Sequence, residues 1–339
     1  MESSCTIASR RYLGAKTRLL EFIDSTITGE CGKFSSFLDL FGGTGVVANH
    51  FFGRNKILIN DFLESNYHSY VTWFGKGSAS TKKLSVIVAE LNSVSKFPAN
   101  YFSINYGNKY FSQENAKKIG FIRGEIDRLS LCNDINSREK SILLTSLIYC
   151  ADRVANTCGH YDAYRKKIDK NDLFQLGLLK FNQNREHFAQ IFQKDANDLI
   201  RDVYADVVYI DPPYNSRQYG DAYHLLENLV VWDKPKLVGV AKKKADRSDT
   251  KSKYCTRDAS SAFSDLVNNI QARHIVISYN NMEKRGNARS QAKISGQEIE
   301  SILATRGKLK IFEQKHSQFN AGKTFKEDHK EMLYVCTIK

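Results

Sequence analysis

Two short segments of the sequence carry residue types that can perform chemistry. In the first, glycines follow an apolar stretch with the spacing Gly43-x-Gly45-x-x-Ala48. Such glycines let a backbone turn approach a nucleotide closely. An acid at the end of the following strand, here Asp61, can accept hydrogen bonds from ribose hydroxyls. The segment therefore predicts a site for a nucleotide cofactor.

The acid at the entry of this turn bears on which nucleotide it holds. NAD and FAD are candidates, because the same glycine spacing is found in dinucleotide-binding proteins. Asp39 stands directly before Leu40-Phe41-Gly42. A carboxylate there suits a cationic group, such as a methionyl ammonium, better than an anionic pyrophosphate. Asp39 thus favours a cofactor built on methionine.

The second segment, Asp211-Pro212-Pro213-Tyr214, closes an apolar run. Proline has no backbone N–H and a fixed φ, so the carbonyls here are held outward. Asp211 and the Pro212 carbonyl offer two acceptors to one amino group, and Tyr214 offers a stacking face. An exocyclic amine on a base flipped out of a duplex requires those groups. The segment therefore predicts a catalytic site that acts on a base.

The elements around these segments predict an α/β fold. A β-α-β unit, typical of a parallel sheet, surrounds the glycines. Its expected elements are a helix over 15–27, a strand over Ser36–Leu40, a helix over Val46–Phe52 and a strand over Lys56–Ile59. Later expected elements are a strand over Asp206–Ile210, a helix over Ala222–Val231, a strand over His274–Ser278, and a hairpin of Lys308–Phe312 with Met332–Ile338.

The middle of the chain differs from its two ends. Residues 65–190 are helix-rich, polar and aromatic, and the best predicted helix covers Ile142–Ala155. We therefore expect three parts: 1–64 with the cofactor motifs, a helical target-recognition region over 65–190, and 191–339 with the Asp-Pro-Pro-Tyr motif.

With these motifs in place, the chain resembles the S-adenosylmethionine-dependent DNA adenine methyltransferases that methylate an amino nitrogen. The cofactor motif precedes the catalytic motif, as in their α group, which includes the Dam and many restriction-modification methylases. The resemblance implies a Rossmann-like methyltransferase fold: a mostly parallel sheet, a terminal antiparallel hairpin and a helical target-recognition insertion. It also implies methyl transfer from S-adenosylmethionine to the adenine amino nitrogen of double-stranded DNA by base flipping.

The resemblance also assigns roles to residues, and charge adds further candidates. The implied cofactor-binding residues are Tyr12, Lys16, Asp39, Phe41, Gly42, Gly43, Gly45, Asp61, Asp195 and Ala196. The implied catalytic residues are Asp211, Pro212 and Tyr214. The residues expected to contact DNA are Asn156, Thr157, Tyr161, Arg217, Lys242, Lys243 and Lys244.

Composition sets further bounds. Fifty Lys and Arg against 37 Asp and Glu give a net charge of +13, which favours a polyanionic partner. Seven scattered cysteines without a Cys-x-x-Cys pair predict reduced thiols, no metal site and a cytoplasmic location. No apolar run approaches the roughly 18 residues that span a bilayer, so no membrane association is expected.

Several alternatives stay open at this point. The same chemistry could act on RNA or on cytosine, although Asp before Pro-Pro-Tyr resembles adenine enzymes. A dinucleotide-dependent oxidoreductase would share the glycine turn but has no use for Asp-Pro-Pro-Tyr. An inactive DNA-binding module would not need Asp211 and Tyr214. A cognate restriction endonuclease, the recognition sequence and the oligomeric state are left undecided.

Overall fold

The computed structural model describes residues 7–167, 173–183, 186–280, 292–315 and 330–339. The strands are β1 (Ser36–Asp39), β2 (Lys56–Asn60), β3 (Gln190–Phe192), β4 (Tyr204–Ile210), β5 (Leu237–Val238), β6 (Lys243–Lys244), β7 (Gln271–Asn280), β8 (Gly307–Lys315) and β9 (Lys330–Ile338). The helices are α1 (Leu20–Cys31), α2 (Val46–Phe51), α3 (Glu64–Phe74), α4 (Thr81–Ser93), α5 (Tyr101–Tyr106), α6 (Gln113–Leu131), α7 (Ser137–Val154), α8 (Ala196–Leu199), α9 (Tyr219–Ala222), α10 (His224–Val231), α11 (Ala259–Asn269) and α12 (Gly296–Ala304).

The chain divides into two compact units, which are described separately. The helical unit consists of Met1–Gly14, Leu63–Ile191 and Gly220–Asp249. The sheet unit consists of Ala15–Phe62, Phe192–Tyr219 and Thr250–Lys339.

This division differs from the three consecutive parts expected from the sequence. Residues 7–14 and 220–249 join the helical unit because residues in both segments hydrogen-bond to its helices and loops. Arg123 on α6 donates from Nε to the Leu229 carbonyl at 2.8 Å, and Arg11 donates to the Thr157 carbonyl at 3.1 Å. These two hydrogen bonds could not be predicted from the sequence, because each joins residues that are more than 100 positions apart. The separation into recognition and catalytic parts stays a prediction.

The sheet has seven strands in the order β3-β2-β1-β4-β7-β9-β8. β1 pairs in parallel with β2 and β4, and β4 pairs in parallel with β7. β9 lies antiparallel to both β7 and β8. The expected α/β fold, with a mostly parallel sheet and a terminal antiparallel hairpin, is therefore confirmed.

The central strands are buried along almost their whole length, and most of their residues are apolar, because both faces of the sheet are covered. Every residue of β1 is buried, as are six of the seven residues of β4. One face packs on a core formed with α11 and α12, in which Leu38, Val208 and Ile277 from adjacent strands meet Phe263 and Leu303. Near-continuous apolar strands of this kind are typical of parallel sheets.

The order of the strands locates the site. The chain leaves β1 toward β2 on one side, and β4 lies on the other side of β1. In parallel α/β sheets ligands bind outside the carboxyl ends of the strands at such a reversal. Asp39 ends β1 and Asp211 directly follows β4, so both acids belong to this edge.

The local elements differ from the predicted ones mainly at their ends. The predicted helix over 15–27 is a 3-10 turn, Lys16–Leu19, followed by α1. The predicted helix over Ile142–Ala155 begins earlier, at Ser137, because Asn136 and Glu139 form a reciprocal capping pair. The basic run Lys242–Arg257, which holds seven Lys or Arg, contains β6 and two 3-10 turns.

One buried acid in the sheet unit gives a prediction about stability. Asp206 on β4 accepts hydrogen bonds from the Ser35 amide and hydroxyl, both at 2.7 Å, and from the Ser36 amide at 3.1 Å. The Ser35 hydroxyl and these amides hold the pKa of Asp206 well below its usual range. We expect Asp206→Asn to lower the free energy of unfolding by about 1–3 kcal/mol, because it removes hydrogen bonds to a charged acceptor.

The pH dependence checks the cause. Since folding depresses this pKa, the contribution is complete above the unfolded value of about 3.9, and it is lost progressively as the pH falls from there through the lower pKa of the folded state. Urea unfolding should therefore show the wild type and Asp206→Asn converging in stability at acidic pH. Asp202→Asn, at an exposed acid nearby, is the matched control and should change little. Equal stability of wild type and Asp206→Asn at pH 7 would contradict the assignment.

Candidate active site

The glycine turn after β1 adopts a conformation that glycine permits. Gly43 has a φ of +52° and Gly45 a φ of +76°, both in the left-handed region. The Gly42 amide donates to the Asn60 carbonyl at 2.8 Å, and the Gly45 amide donates to the Gly42 carbonyl at 2.7 Å. The turn is thus bound to the end of β2, and α2 begins directly after it.

Asp61 lies against this turn. Its Oδ2 accepts a hydrogen bond from the Gly43 amide at 2.9 Å, and its own amide donates to the Phe192 carbonyl at 3.4 Å. The side chain is half-buried. The structure therefore brings the acid expected at the ribose next to the glycines expected at the cofactor.

Asp39 is almost completely buried, with 1% of its surface exposed. Its Oδ2 accepts a hydrogen bond from the Ala48 amide at 3.1 Å, which joins β1 to α2. Burial raises the pKa of Asp39 to about 8, against the lowering effect of the Ala48 amide, and the nearby Asp211 and Asp61 raise it further. A cation beside these three acids would relieve their repulsion, so the acids suit a positively charged ligand.

The segment after β3 closes the same edge of the sheet. Asp195 caps α8 by accepting hydrogen bonds from the Asn197 amide at 2.9 Å and the Asp198 amide at 3.4 Å, and Ala196 is buried. Asn60, which sequence reasoning did not select, donates from Nδ2 to the Lys194 carbonyl at 3.1 Å. Its signal was its position directly before Asp61 at the end of a strand.

Phe41 is half-buried and meets Tyr254 edge to face, with ring centroids 5.2 Å apart. The Tyr254 hydroxyl donates to Asn197 Oδ1 at 2.9 Å. Tyr254 was not predicted from the sequence, since it lies within the basic run and far along the chain from the glycine turn. Phe41 and Tyr254 give this edge an aromatic wall.

The Asp-Pro-Pro-Tyr segment follows β4 directly. Pro212 is buried, and Tyr214 packs edge to face on Tyr279, with ring centroids 6.1 Å apart. The Tyr214 carbonyl accepts a hydrogen bond from the Lys293 amide at 2.8 Å. The Tyr214 backbone carbonyl is therefore tied to a later segment of the chain.

The Asp211 carboxylate forms an ion pair with Lys16, whose Nζ lies 3.1 Å from Oδ1. Lys16 was expected to contact the cofactor, which stays a prediction; here its ammonium lies against the Asp-Pro-Pro-Tyr segment. Burial raises the pKa of Asp211 to about 6, Lys16 opposes this, and Glu331 raises it. Burial also disfavours the charged form of Lys16, yet Asp211 and Glu331 hold its pKa well above the ordinary value.

Tyr12 lies in the helical unit. Its ring stacks on Tyr223 with centroids 4.7 Å apart and an interplanar angle of 3°, and its hydroxyl accepts a hydrogen bond from Asn66 at 3.2 Å. The Arg10 guanidinium lies 5.0 Å from the Tyr12 ring centroid. The cofactor role of Tyr12 stays a prediction.

The three residues expected near DNA after α7 are buried. Asn156 donates to the Lys109 carbonyl at 3.1 Å and the Arg165 carbonyl at 2.7 Å. The Tyr161 hydroxyl donates to Asp152 Oδ1 at 2.8 Å, and Thr157 is 3% exposed. These contacts hold the loop after α7 in shape. Contact of these residues with DNA stays a prediction.

Two of the three consecutive lysines expected to contact DNA, Lys243 and Lys244, are paired with acids. Lys243 Nζ lies 2.7 Å from Asp162 Oδ1 and 3.6 Å from Asp221 Oδ2. Lys244 pairs with Asp249 at 3.0 Å, and Lys242 adopts a φ of +56°.

Arg217 belongs to the sheet unit and is exposed, and its amide donates to Asn215 Oδ1 at 2.9 Å. The contact of Arg217 with DNA stays a prediction.

Metal ligands and membrane spans are absent from the part of the chain that the structure describes. Across residues 7–167 and the later described ranges, no group of three His, Cys, Asp or Glu side chains is placed to hold a metal ion. Among the helices that the structure describes, none combines the length and apolar content needed to cross a membrane.

The chain is similar to known modification enzymes along most of its length. The family model for D12 class N6 adenine-specific DNA methyltransferases matches residues 12–287. Modification methylase StsI of Streptococcus sanguinis is 37% identical over 80% of this chain and 44% of its own length. Type II methyltransferase M.FokI of Planomicrobium okeanokoites is 34% identical over 88% of this chain and 47% of its own length. Type II methyltransferase M.NlaIII of Neisseria lactamica is 31% identical over 94% of this chain and 95% of its own length.

A parallel sheet with a glycine turn and acids at its carboxyl edge defines an α/β enzyme of the nucleotide-binding class. Within that class the match over 12–287 identifies the family: the chain belongs to the D12 class N6 adenine-specific DNA methyltransferases. The resemblance inferred from the motifs is thereby confirmed. The chain spans a little less than half the length of the StsI and FokI methylases, and nearly the whole length of the NlaIII methylase.

Proposed function

We propose that this chain transfers a methyl group from S-adenosylmethionine to the exocyclic amino nitrogen of adenine in double-stranded DNA. One observation carries the proposal: Asp211 and Pro212 follow β4 in the same unit that holds the glycine turn after β1. The reaction requires two parts. One is a pair of acceptors for the amino group, and the other is a turn that binds a nucleotide. Membership of the family supports it further.

The residues of the turn suit S-adenosylmethionine. Asp61 would accept hydrogen bonds from the ribose, the segment at Asp195 and Ala196 would border the adenine ring, and Phe41 would add an apolar face. Asp39 and its neighbouring acids would balance the positive charges of the cofactor, which would favour the ionised form of Asp39 against the burial and the neighbouring acids that raise its pKa. The bound cofactor supplies a methyl group already activated on a sulfonium.

The protein then has to orient and polarise the target amine. The lone pair of the adenine amino group is delocalised into the ring and is a poor nucleophile. Hydrogen bonds from its N–H groups to Asp211 and the Pro212 carbonyl favour a more tetrahedral nitrogen. Tyr214 stacks on the base and offsets part of the unstacking cost, a few kcal/mol, of turning the base out of the duplex. Catalysis here is positioning and electrostatics.

Incubating the purified chain with methyl-labelled S-adenosylmethionine tests the proposal. Separate reactions contain duplex DNA, the same duplex methylated in advance on its adenines, RNA, or no nucleic acid. We expect label only in the unmodified duplex, and recovery of it as N6-methyladenine after digestion. Label in RNA or cytosine would support the alternatives, and oxidation of a nicotinamide cofactor without labelling would support an oxidoreductase.

The setting of the enzyme is part of the same proposal. The three relatives described are named as modification or Type II methyltransferases. We infer that this chain protects DNA in a restriction-modification system, acts in the cytoplasm where that DNA lies, and has a cognate endonuclease. Sequencing of methylated DNA from an expressing host would identify the recognition sequence, and a nuclease that cuts the same unmethylated sequence would be its partner.

The basic residues of the helical unit give a prediction about DNA affinity. Replacing Lys242, Lys243 and Lys244 with Ala should weaken binding to all sequences alike, because lysines that bind phosphates do not read bases. The slope of log K against log salt should flatten by about 0.9 for each phosphate that a lysine no longer neutralises. Lys243 must leave Asp162 and Asp221 to reach a phosphate, so we expect the three substitutions to free fewer than three phosphates.

Fluorescence anisotropy over a salt series measures this slope. The matched control replaces three exposed lysines elsewhere, Lys33, Lys82 and Lys96, and therefore removes the same charge. If both triple variants lower the slope of log K against log salt equally, the effect comes from net charge alone. Lys242, Lys243 and Lys244 would then not contact phosphates specifically.

A further inference from the structure

A buried acid from the last strand completes the group around Asp211. Glu331 on β9 is 4% exposed and its Oε1 lies 2.6 Å from Lys16 Nζ. The same oxygen accepts a hydrogen bond of 2.6 Å from the hydroxyl of Ser278, a fully buried residue on β7. Lys16 Nζ in turn lies 3.1 Å from Asp211 Oδ1. Three charged side chains therefore lie together in the sheet unit, with Lys16 and Glu331 buried and Asp211 partly buried.

The charges of this group do not cancel. Lys16 alone would leave Asp211 in a neutral ion pair, whose carboxylate is a weakened acceptor. Glu331 adds a second negative charge, so the group carries a net charge of −1 when both acids are ionised. A buried ion pair holds its geometry only if the remaining oxygens and protons have partners, and Ser278 supplies one to Glu331.

Methyl transfer to an amine places positive charge where this group lies. The amino nitrogen uses its lone pair to form the bond to carbon, and the electron pair of the broken carbon–sulfur bond stays on sulfur. The nitrogen then carries a positive charge until it loses one proton. If Asp211 takes that proton, the methylated amine and the acid are both neutral, and the proton later leaves to water.

We propose that Glu331 is a positioning residue for this reaction: it holds Lys16 and keeps Asp211 strong enough to accept the proton of the target amine. The proposal rests on the proposed function. It adds a residue that the proposed function does not use: Glu331 touches neither the base nor the cofactor and acts only through Lys16.

The other groups that face Asp211 add little charge at neutral pH. Burial raises the pKa of Tyr209 far above neutrality and raises that of Tyr214. Asp39, with its pKa of about 8, is mostly protonated at pH 7. Lys16 and Glu331 are thus the charged partners that set the titration of Asp211. Loss of the Glu331 charge should lower the pKa of Asp211, because a like charge has been removed.

Glu331→Gln tests the proposal, because it keeps the shape and an oxygen toward Lys16 but removes the charge. We expect kcat to fall about 10- to 100-fold, part of the ~10²–10⁴ that a positioned acid–base group supplies. The acidic limb of the kcat/KM profile should move to lower pH. Calorimetry should show unchanged affinity for S-adenosylmethionine. A merely structural residue would lower activity without moving the limb.

A measurement without turnover separates this inference from the proposed function. With aspartate labelled by ¹³C at the carboxyl carbon, the Asp211 resonance is assigned by its loss in Asp211→Asn. Its titration in the cofactor-free protein should move to lower pH in Glu331→Gln. An unmoved titration overturns the inference, even if the wild type methylates DNA. A wild type that methylates no adenine overturns the proposed function instead.

Two further variants keep the test decisive if Glu331→Gln does not fold. Glu331→Asp keeps the charge but withdraws it by one methylene from Lys16, so kcat should fall while the Asp211 titration stays nearer that of the wild type. Ser278→Ala keeps both acids and removes one hydrogen bond that holds Glu331, so kcat should fall, but by less than in Glu331→Gln. Wild-type titration and kcat in both variants would overturn the proposal.

Discussion

Replacing Asp211 with Ala should abolish methylation and leave the affinity for S-adenosylmethionine nearly unchanged. Asp211 follows β4, and its carboxylate meets Lys16 rather than the glycine turn. An acceptor that acts mainly in the transition state lowers kcat and kcat/KM together when it is removed. We expect a loss of at least about 10³-fold, the upper range for removal of one preorganised electrostatic group.

Single-turnover labelling and calorimetry on the same preparations measure both quantities. Asp211→Asn is the matched variant, since it keeps the size and one oxygen acceptor but can take up no proton near neutral pH. It should be as inactive as Asp211→Ala if proton acceptance is essential, and partly active if the hydrogen bond alone matters. Substantial turnover by Asp211→Ala would show that the catalytic motif has been wrongly assigned.

The same group predicts the acidic limit of the wild-type reaction. The pKa of Asp211 is about 6, raised by burial against the effect of Lys16. Because the ionised form is the active one, kcat/KM should fall below pH 6 and level off above it. A profile flat down to pH 5 would mean that Asp211 stays ionised throughout and does not govern the reaction.

Replacing Asp61 with Ala should produce the opposite pattern: weak cofactor binding with a nearly normal rate at saturation. The substitution would remove the hydrogen bonds that the Asp61 carboxylate accepts from the ribose. Hydrogen bonds to a charged group contribute about 1.5–3 kcal/mol each. The substitution also releases the Gly43 amide, which Asp61 holds at 2.9 Å. We expect the Kd for S-adenosylmethionine to rise about 100-fold, equivalent to about 2.7 kcal/mol.

Calorimetric titration measures this Kd directly. Asp202→Ala, at an exposed acid of the same unit, is the control for loss of one negative charge and should bind normally. Unchanged affinity in Asp61→Ala would limit this residue to holding the glycine turn. A fall in kcat at saturating cofactor would instead place Asp61 near the reacting atoms.

Much of the sheet unit could be predicted from sequence because its signals are local. Left-handed turns restrict the choice of residue to glycine at Gly43 and Gly45, and apolar runs bounded by acids mark the central parallel strands. The positions of Asp39, Asp61 and Asp211 then follow from topology, since each ends or follows a strand. In a parallel sheet the carboxyl ends of the strands lie at the same edge, so these three acids are expected there.

The helical unit was predicted less well because its contacts join distant parts of the chain. The helix α7 was foreseen from its period, but the burial of Asn156 and Tyr161 was not. Their polar types suggested a surface, and only the carbonyls and acids packed around them show otherwise. The pairing of Lys243 with Asp162 likewise spans 81 residues.

The sequence by itself determined the family, the α/β class and the residues of the glycine turn and of the Asp-Pro-Pro-Tyr segment, because each depends on neighbours within a few positions. Only the tertiary structure decided what surrounds Asp211. Lys16 and Glu331 are 315 residues apart and meet because β9 inserts antiparallel between β7 and β8. Strand order in a sheet is a global property that chain order does not encode, so this buried acid could be found only in the fold.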